Sequence, residues 1–137
     1  MVLVDTTVWI DLLRGRGSPP VMTLRQLLTD GQAVTAPVIL QEVLQGASGP
    51  DSLQRLRDHF LSLPMVEPAA GGLTHAAAGE LYARCRWQGI TPRSPHDCLI
   101  AQLAIEHDIP LLHDDRGFEA LARVDGRLRL MAVAAAP

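Results

Sequence analysis

Short apolar runs alternate with segments of helical spacing along the whole chain, and two of those runs end in acids. Val2-Leu3-Val4 is closed by Asp5, and Ile109-Pro110-Leu111-Leu112 is followed by His113-Asp114-Asp115. Residues 2–5 read as a strand and residues 8–13 as a short helix, broken at Gly15-Arg16-Gly17. Ser18 fits an N-cap with Pro19 at the first helical position, opening a helix to Thr29. Residues 33–35 form a strand, and the helix from Pro37 stops at Gly46, placed as a C′ glycine. Leu53, Leu56, Phe60 and Leu63 give residues 52–63 helical spacing. A strand at 65–67 and a helix over 74–88 follow. Ser94-Pro95-His96-Asp97 reads as a capping box opening a helix to His107. The remaining elements are a strand at 111–112, a helix over 118–123, a strand over 128–132 and a loose tail at 134–137. Such alternation predicts one α/β domain over residues 1–133, with a mainly parallel sheet covered by helices on both faces. Ligands of such sheets bind outside the carboxyl ends of the strands, where the strand order reverses.

Four acids stand where a carboxylate needs a reason. Asp5 ends an apolar strand, Glu42 interrupts the apolar helix after Pro37, Asp97 opens a very apolar helix, and Asp115 follows a second strand. A buried carboxylate is costly unless it is paired, hydrogen-bonded or bound to a cation. Four of them in one crevice would repel one another, and a divalent cation resolves that repulsion. Each acid also has a structural reading. Asp5 can cap the helix after it, Glu42 can lie exposed beside Gln41 and Gln45, Asp97 can complete the capping box, and Asp114 or Asp115 can cap the helix at Phe118. Thr6 and Thr7 offer hydroxyls that could orient a carboxylate. Asp11, Glu67, Glu80, Glu106 and Glu119 read as ordinary surface or turn acids, and Trp9 and Trp87 as packing or hydrogen-bonded residues.

The rest of the composition mostly excludes. All 12 basic residues are arginine, so a Walker P-loop, a Schiff-base lysine and the lysine of a phospho-receiver are absent. The residue two after Asp5 is Thr7, which removes the DxDxT nucleophile pattern of phosphatases. Cys85 and Cys98 make no CxxC and, without well-spaced histidines, no structural zinc site; both read as buried free thiols. A net charge of −3 is not the footprint of a protein that coats nucleic acid by charge alone. Local basic clusters at Arg84, Arg86 and Arg93, and at Arg116, Arg123, Arg127 and Arg129, leave room for a basic rim. No apolar run is long enough to span a bilayer, and the N-terminus lacks the features of a signal peptide, so a cytoplasmic protein is expected.

The motifs resemble a known family. Val4-Asp5-Thr6-Thr7-Val8-Trp9-Ile10 resembles the opening motif of PIN domains. Residues 93–101 (RSPHDCLIA) followed by residues 110–118 (PLLHDDRGF) closely resemble the carboxyl-terminal half of bacterial VapC toxins. The resemblance implies a three-layer α/β/α fold and a Mg²⁺- or Mn²⁺-dependent endoribonuclease, the toxin of a type II toxin–antitoxin pair. It carries catalytic roles to Asp5, Glu42, Asp97 and Asp115, with Asp5, Asp97 and Asp115 as metal ligands. Thr6, His113 and Asp114 become candidates to support those ligands, and Arg86, Arg93 and Arg116 candidates to hold RNA phosphates. It further implies tRNA or rRNA as substrate, a homodimer, and inhibition by a VapB-type antitoxin whose segment packs into an apolar groove. Leu24, Leu27 and Leu28 are candidates for that groove, although a plain hydrophobic core is the commoner role for any one of them. One departure stands out: many relatives carry an acid where this chain has Gly117. That departure keeps open a non-catalytic PIN-like module that binds RNA or protein.

Overall fold

The computed structural model describes residues 1–133; the predicted tail at 134–137 lies outside them. Ten elements follow in order: β1 (Val2–Val4), α1 (Thr6–Leu13), α2 (Pro19–Thr29), β2 (Ala33–Val34), α3 (Pro37–Gln45), α4 (Pro50–Leu61), α5 (Gly72–Trp87), α6 (Pro95–Glu106), β3 (Leu111–Leu112) and α7 (Arg116–Val124). The three strands form a parallel sheet in the order β2-β1-β3, with Leu3 facing Val34 on one side and Leu111 on the other. The chain leaves β1 toward β2 and returns past it to β3, so the order reverses at β1. Helices α1–α4 pack among themselves, as do α5–α7, giving the two helical layers of an α/β/α sandwich.

Burial explains the local choices. β1, β2 and β3 are buried on both faces, which suits continuous Val, Leu and Ala runs rather than alternation. Trp9 sits in the core, donates its indole N–H to the Val4 carbonyl at 3.1 Å, and meets Phe60 edge-on at 4.9 Å. Phe60→Leu removes that edge-on pair and opens a partial void between α1 and α4. It is expected to cost on the order of 1–2 kcal/mol, read by denaturant unfolding. Cys85 and Cys98 are buried and free, as expected, and burial pushes the Cys98 thiol up to about 12.

The strands expected at 65–67 and 128–132 shrink to single parallel bridges, Thr35 with Met65 and Leu111 with Leu130, because only one residue of each segment reaches the sheet edge. Gly46 ends α3 at φ −90°, so it is not a left-handed C′ glycine. Asp11 is buried, beside Arg16 at 3.4 Å, and Glu106 accepts from the Ala69 N–H at 2.9 Å and from Thr74, fastening the loop before α5. Trp87 is 78% exposed at the end of α5 and packs no core. Leu24 and Leu27 are buried and Leu28 packs partly against the core, so they line no open groove. Both arginine clusters give members to structure: Arg127 and Arg129 of the second pair with Asp125 at 2.7 Å and Asp108 at 3.2 Å, and Arg84 of the first bonds the Val124 carbonyl at 2.9 Å. No helix among the described residues is long and apolar enough to cross a membrane.

Candidate active site

The acids gather because the strands that deliver them are neighbours. Asp5 leaves the carboxyl end of β1, and its N–H donates to the Leu112 carbonyl of β3 at 2.9 Å. Asp5 therefore sits beside the end of β3, from which the chain reaches Asp115 three residues later. It also caps α1, accepting from the Thr7 N–H at 3.4 Å, so its structural and chemical readings coincide. Asp115 caps α7 in the same way, accepting from the Gly117 N–H at 2.8 Å. A Cβ at residue 117 would stand 3.2 Å from that carboxylate oxygen, so glycine there allows the tight cap.

Asp97 is placed differently from the expected capping box. Ser94 Oγ accepts from the His96 N–H at 3.1 Å instead, and the Asp97 side chain makes no return bond to the Ser94 N–H. Freed from capping, the carboxylate is buried and faces the other acids. Glu42, half-buried on α3, accepts from the Thr6 hydroxyl at 2.8 Å. His96 Nδ1 lies 3.7 Å from the second Glu42 oxygen, near enough for an ion pair when the imidazole is protonated.

The electrostatics follow from crowding and burial. Asp5 is pushed up from 3.8 to about 7, first by burial, then by the charge of Asp97, with a smaller push from Glu42. Asp97 is pushed up to about 6, again mainly by burial, with Asp115 and Glu42 adding and Arg93 opposing. Asp97 thus links the four predicted acids: its charge acts on Asp5, and those of Asp115 and Glu42 act on it. Arg93 Nη2 comes within 3.0 Å of Asp115 Oδ2, yet that oxygen is buried and has no hydrogen bond among the described residues. The two facts describe a close ion pair with poor alignment, which neutralises charge but leaves the oxygen's lone pairs unclaimed. An all-oxygen set of mutually repelling carboxylates with one unclaimed buried oxygen fits a hard divalent cation. Among the described residues no three side chains already close into a cage, so a cation would draw the ligands together.

The supporting candidates divide. Thr6 bonds Glu42 directly. His113 Nδ1 accepts from the Asp115 N–H at 3.2 Å and its ring rests on Phe118, so it fixes the backbone that carries Asp115. Asp114 is exposed and makes no hydrogen bond or ion pair among the described residues; with His113 and Arg116 it walls a cleft of about 610 Å³ beside the acids. Arg93 reaches the acids, Arg116 lies at their rim, and Arg86 is exposed on the last turn of α5 with no ion pair among the described residues. His96 is a neighbour of the acids that no sequence motif marks. Its place next to Asp97 was the available signal, but its contact with α3 depends on tertiary packing.

Known proteins resemble this chain in sequence and in fold. Residues 2–124 match the PIN domain. Ribonuclease VapC11 of Mycobacterium tuberculosis and VapC ribonuclease Mb1587 of Mycobacterium bovis are each 36% identical to the chain over 126 residues, covering 90% of it and 93% of themselves. VapBC2 from Rickettsia felis, solved bound to a DNA fragment from its promoter, shares the fold with a TM-score of 0.73. It does so at 22% identity, covering 98% of this chain and all of its own. The chain therefore belongs to the PIN-domain family, alongside the VapC ribonucleases.

Proposed function

We propose that this protein is the toxin of a type II toxin–antitoxin pair, an endoribonuclease that hydrolyses phosphodiester bonds in tRNA or rRNA with Mg²⁺ or Mn²⁺. The observation that carries this reading is the burial of Asp5 and Asp97 together at the carboxyl end of a parallel sheet, where both are held above the usual carboxylate range. Structural ion pairs lower the pKa of acids; here burial, with the charge of neighbouring acids, raises it, the pattern of carboxylates gathered without a compensating charge. The VapC ribonuclease relatives supply the substrate class.

Asp5, Asp97 and Asp115 would hold the cation, which when bound supplies a Lewis acid that neutralises the scissile phosphate and activates water. Glu42, fixed by the Thr6 hydroxyl, orients the attacking water from its second oxygen. Arg93, paired with Asp115 in the free protein, would be released toward the phosphate if a cation neutralised that acid, and Arg116 and Arg86 extend the basic path along the RNA. The domain over residues 1–133 works as a homodimer.

The partner is a VapB-type antitoxin. Its segment fits the open groove of about 580 Å³ between α1, α3 and α4, with Ile10, Leu13, Val43 and Leu56 on the floor and Arg14 and Arg55 on the rim. Leu13 is 49% exposed there, so Leu13→Glu is expected to weaken antitoxin binding about tenfold or more while sparing RNA cleavage. Co-expression reads this out as growth arrest that the antitoxin no longer relieves. Unchanged relief would move the antitoxin elsewhere.

A second reading, a non-catalytic RNA- or protein-binding module, draws support from Arg93 already occupying Asp115. Induced expression of wild type and Asp5→Asn, with tRNA and rRNA ends mapped, separates the two. Arrest with discrete new 5′ ends, both lost in the variant, supports the nuclease. Arrest that survives Asp5→Asn supports the binding module.

A further inference from the structure

Beside the acids, α5 and α6 leave a groove that the catalytic reading does not use. One part, of about 360 Å³, is lined by His75, Gly79 and Tyr82 of α5 and by His96 and Leu99 of α6. It shares His75, His96 and Leu99 with a second hollow of about 390 Å³ that runs to Pro37 and Gln41 of α3. His96 also approaches Glu42, so one side chain walls both the groove and the acidic cluster.

The lining is selective in character. Among the described residues no carboxylate borders either hollow, although 15 acids are spread over the chain. The walls are an aromatic ring, two imidazoles and aliphatic carbon, with Gln41 as an amide able to meet a base edge. His75, Gly79, Tyr82 and Arg86 follow one another at helical spacing, so a guanidinium lies one turn beyond the phenol on the same face. Gly79 is the gap in that stripe: a Cβ there would meet nothing within 4 Å, and its absence leaves the groove open. Apolar walls with a few convergent polar groups suit a small planar ligand. Unpaired RNA bases are held in this way, stacked on aromatic or imidazole faces while arginines hold the backbone.

We infer that the α5–α6 groove takes one unpaired nucleobase adjacent to the scissile phosphodiester and so sets part of the cleavage preference. This inference rests on the ribonuclease reading. Tyr82 and the imidazoles of His75 and His96 stack on the base, Leu99 closes the floor, and Arg86 meets the neighbouring phosphate.

The test fills the groove rather than dismantling it. Gly79→Leu adds a side chain to open space on a helix and favours the helix, so folding is preserved. Fluorescent single-stranded hexaribonucleotide pools carry A, C, G, U or an abasic site at one central position, with random flanks. Anisotropy in EDTA reads binding without cleavage, and product formation is read separately in Mg²⁺. Wild type is expected to bind its preferred base pool about fivefold or more tightly than the abasic pool, the size of a single stacking contact. Gly79→Leu is expected to bind all pools alike, at the abasic level. Equal binding of all pools by wild type, or a preference that persists in Gly79→Leu, overturns the inference. Loss of self-association in Gly79→Leu with an unchanged base preference would assign the groove to a second copy. A base preference abolished by Gly79→Leu, without any Mg²⁺-dependent cleavage, would uphold the groove and sink the nuclease reading.

Discussion

Asp5→Asn is expected to lower Mg²⁺-dependent RNA cleavage by at least about 10³-fold, roughly 4 kcal/mol of transition-state stabilisation, while leaving the protein folded. The two halves of this result have one cause. Asp5 is buried, its charge is opposed by burial and by Asp97, and its carboxyl is held near 7. An amide of the same shape carries no charge to desolvate and can still accept from the Thr7 N–H that Asp5 caps at 3.4 Å. The metal-free variant should therefore be more stable than wild type at neutral pH, the trade of stability for function expected where acids are crowded to hold a cation. Glu42→Gln is expected to lose less, about 10- to 100-fold, because it orients rather than ligates and its bond from Thr6 survives. Purified variants assayed on total RNA give the answer. Cleavage with the same ends in wild type and Asp5→Asn would remove Asp5 from the chemistry, and an unfolded Asp5→Asn would make the cap its main role.

Much of this arrangement was legible in the sequence because its signals are local. The strand ends at Asp5 and Leu112, the Ser18-Pro19 start of α2 and the proline that opens α3 each follow from a few adjacent residues. The four acids were legible together because each interrupts an apolar run, and the fold brings them to one strand-order reversal. Tertiary pairing was not legible. Residues 65 and 130 meet the sheet at one position each, so their segments carry strand-like composition without strand geometry. Ser94 and Asp97 have capping-box spacing, but the pull of the cleft and the nearer His96 N–H give Ser94 another donor. Arg93, a candidate for holding an RNA phosphate, rests on Asp115 in the free protein, across 22 residues of chain. No pattern in a single sequence announces a pair at that separation.

The stability of the metal-free protein is expected to fall as pH rises from about 4 to about 7, and a divalent cation is expected to reverse that fall. The sign follows from the two buried acids. Unfolded, both titrate near 3.8; folded, Asp97 holds its proton to about 6 and Asp5 to about 7. The folded state binds more protons across this window, so its advantage is complete below the unfolded value and lost as pH passes the folded ones. Asp125 works oppositely: Arg127 holds it below the usual range, so its contribution fades only on acidification below about 4, outside the window. Above about pH 7 the acids are charged and repelling, which is the state that a cation binds best. Millimolar Mg²⁺ should then raise the melting temperature on the order of 5 °C near pH 7.5 and hardly at all near pH 5, where protons occupy the site. Asp5→Asn should flatten both the fall and the Mg²⁺ gain, which isolates the site from every other titrating group. Melting curves of the two proteins in EDTA and in Mg²⁺ at both pH values measure this directly. An equal Mg²⁺ shift at both pH values would place the cation elsewhere. A melting temperature in EDTA that rises through this window equally in both proteins would mean that Asp5 is not held protonated.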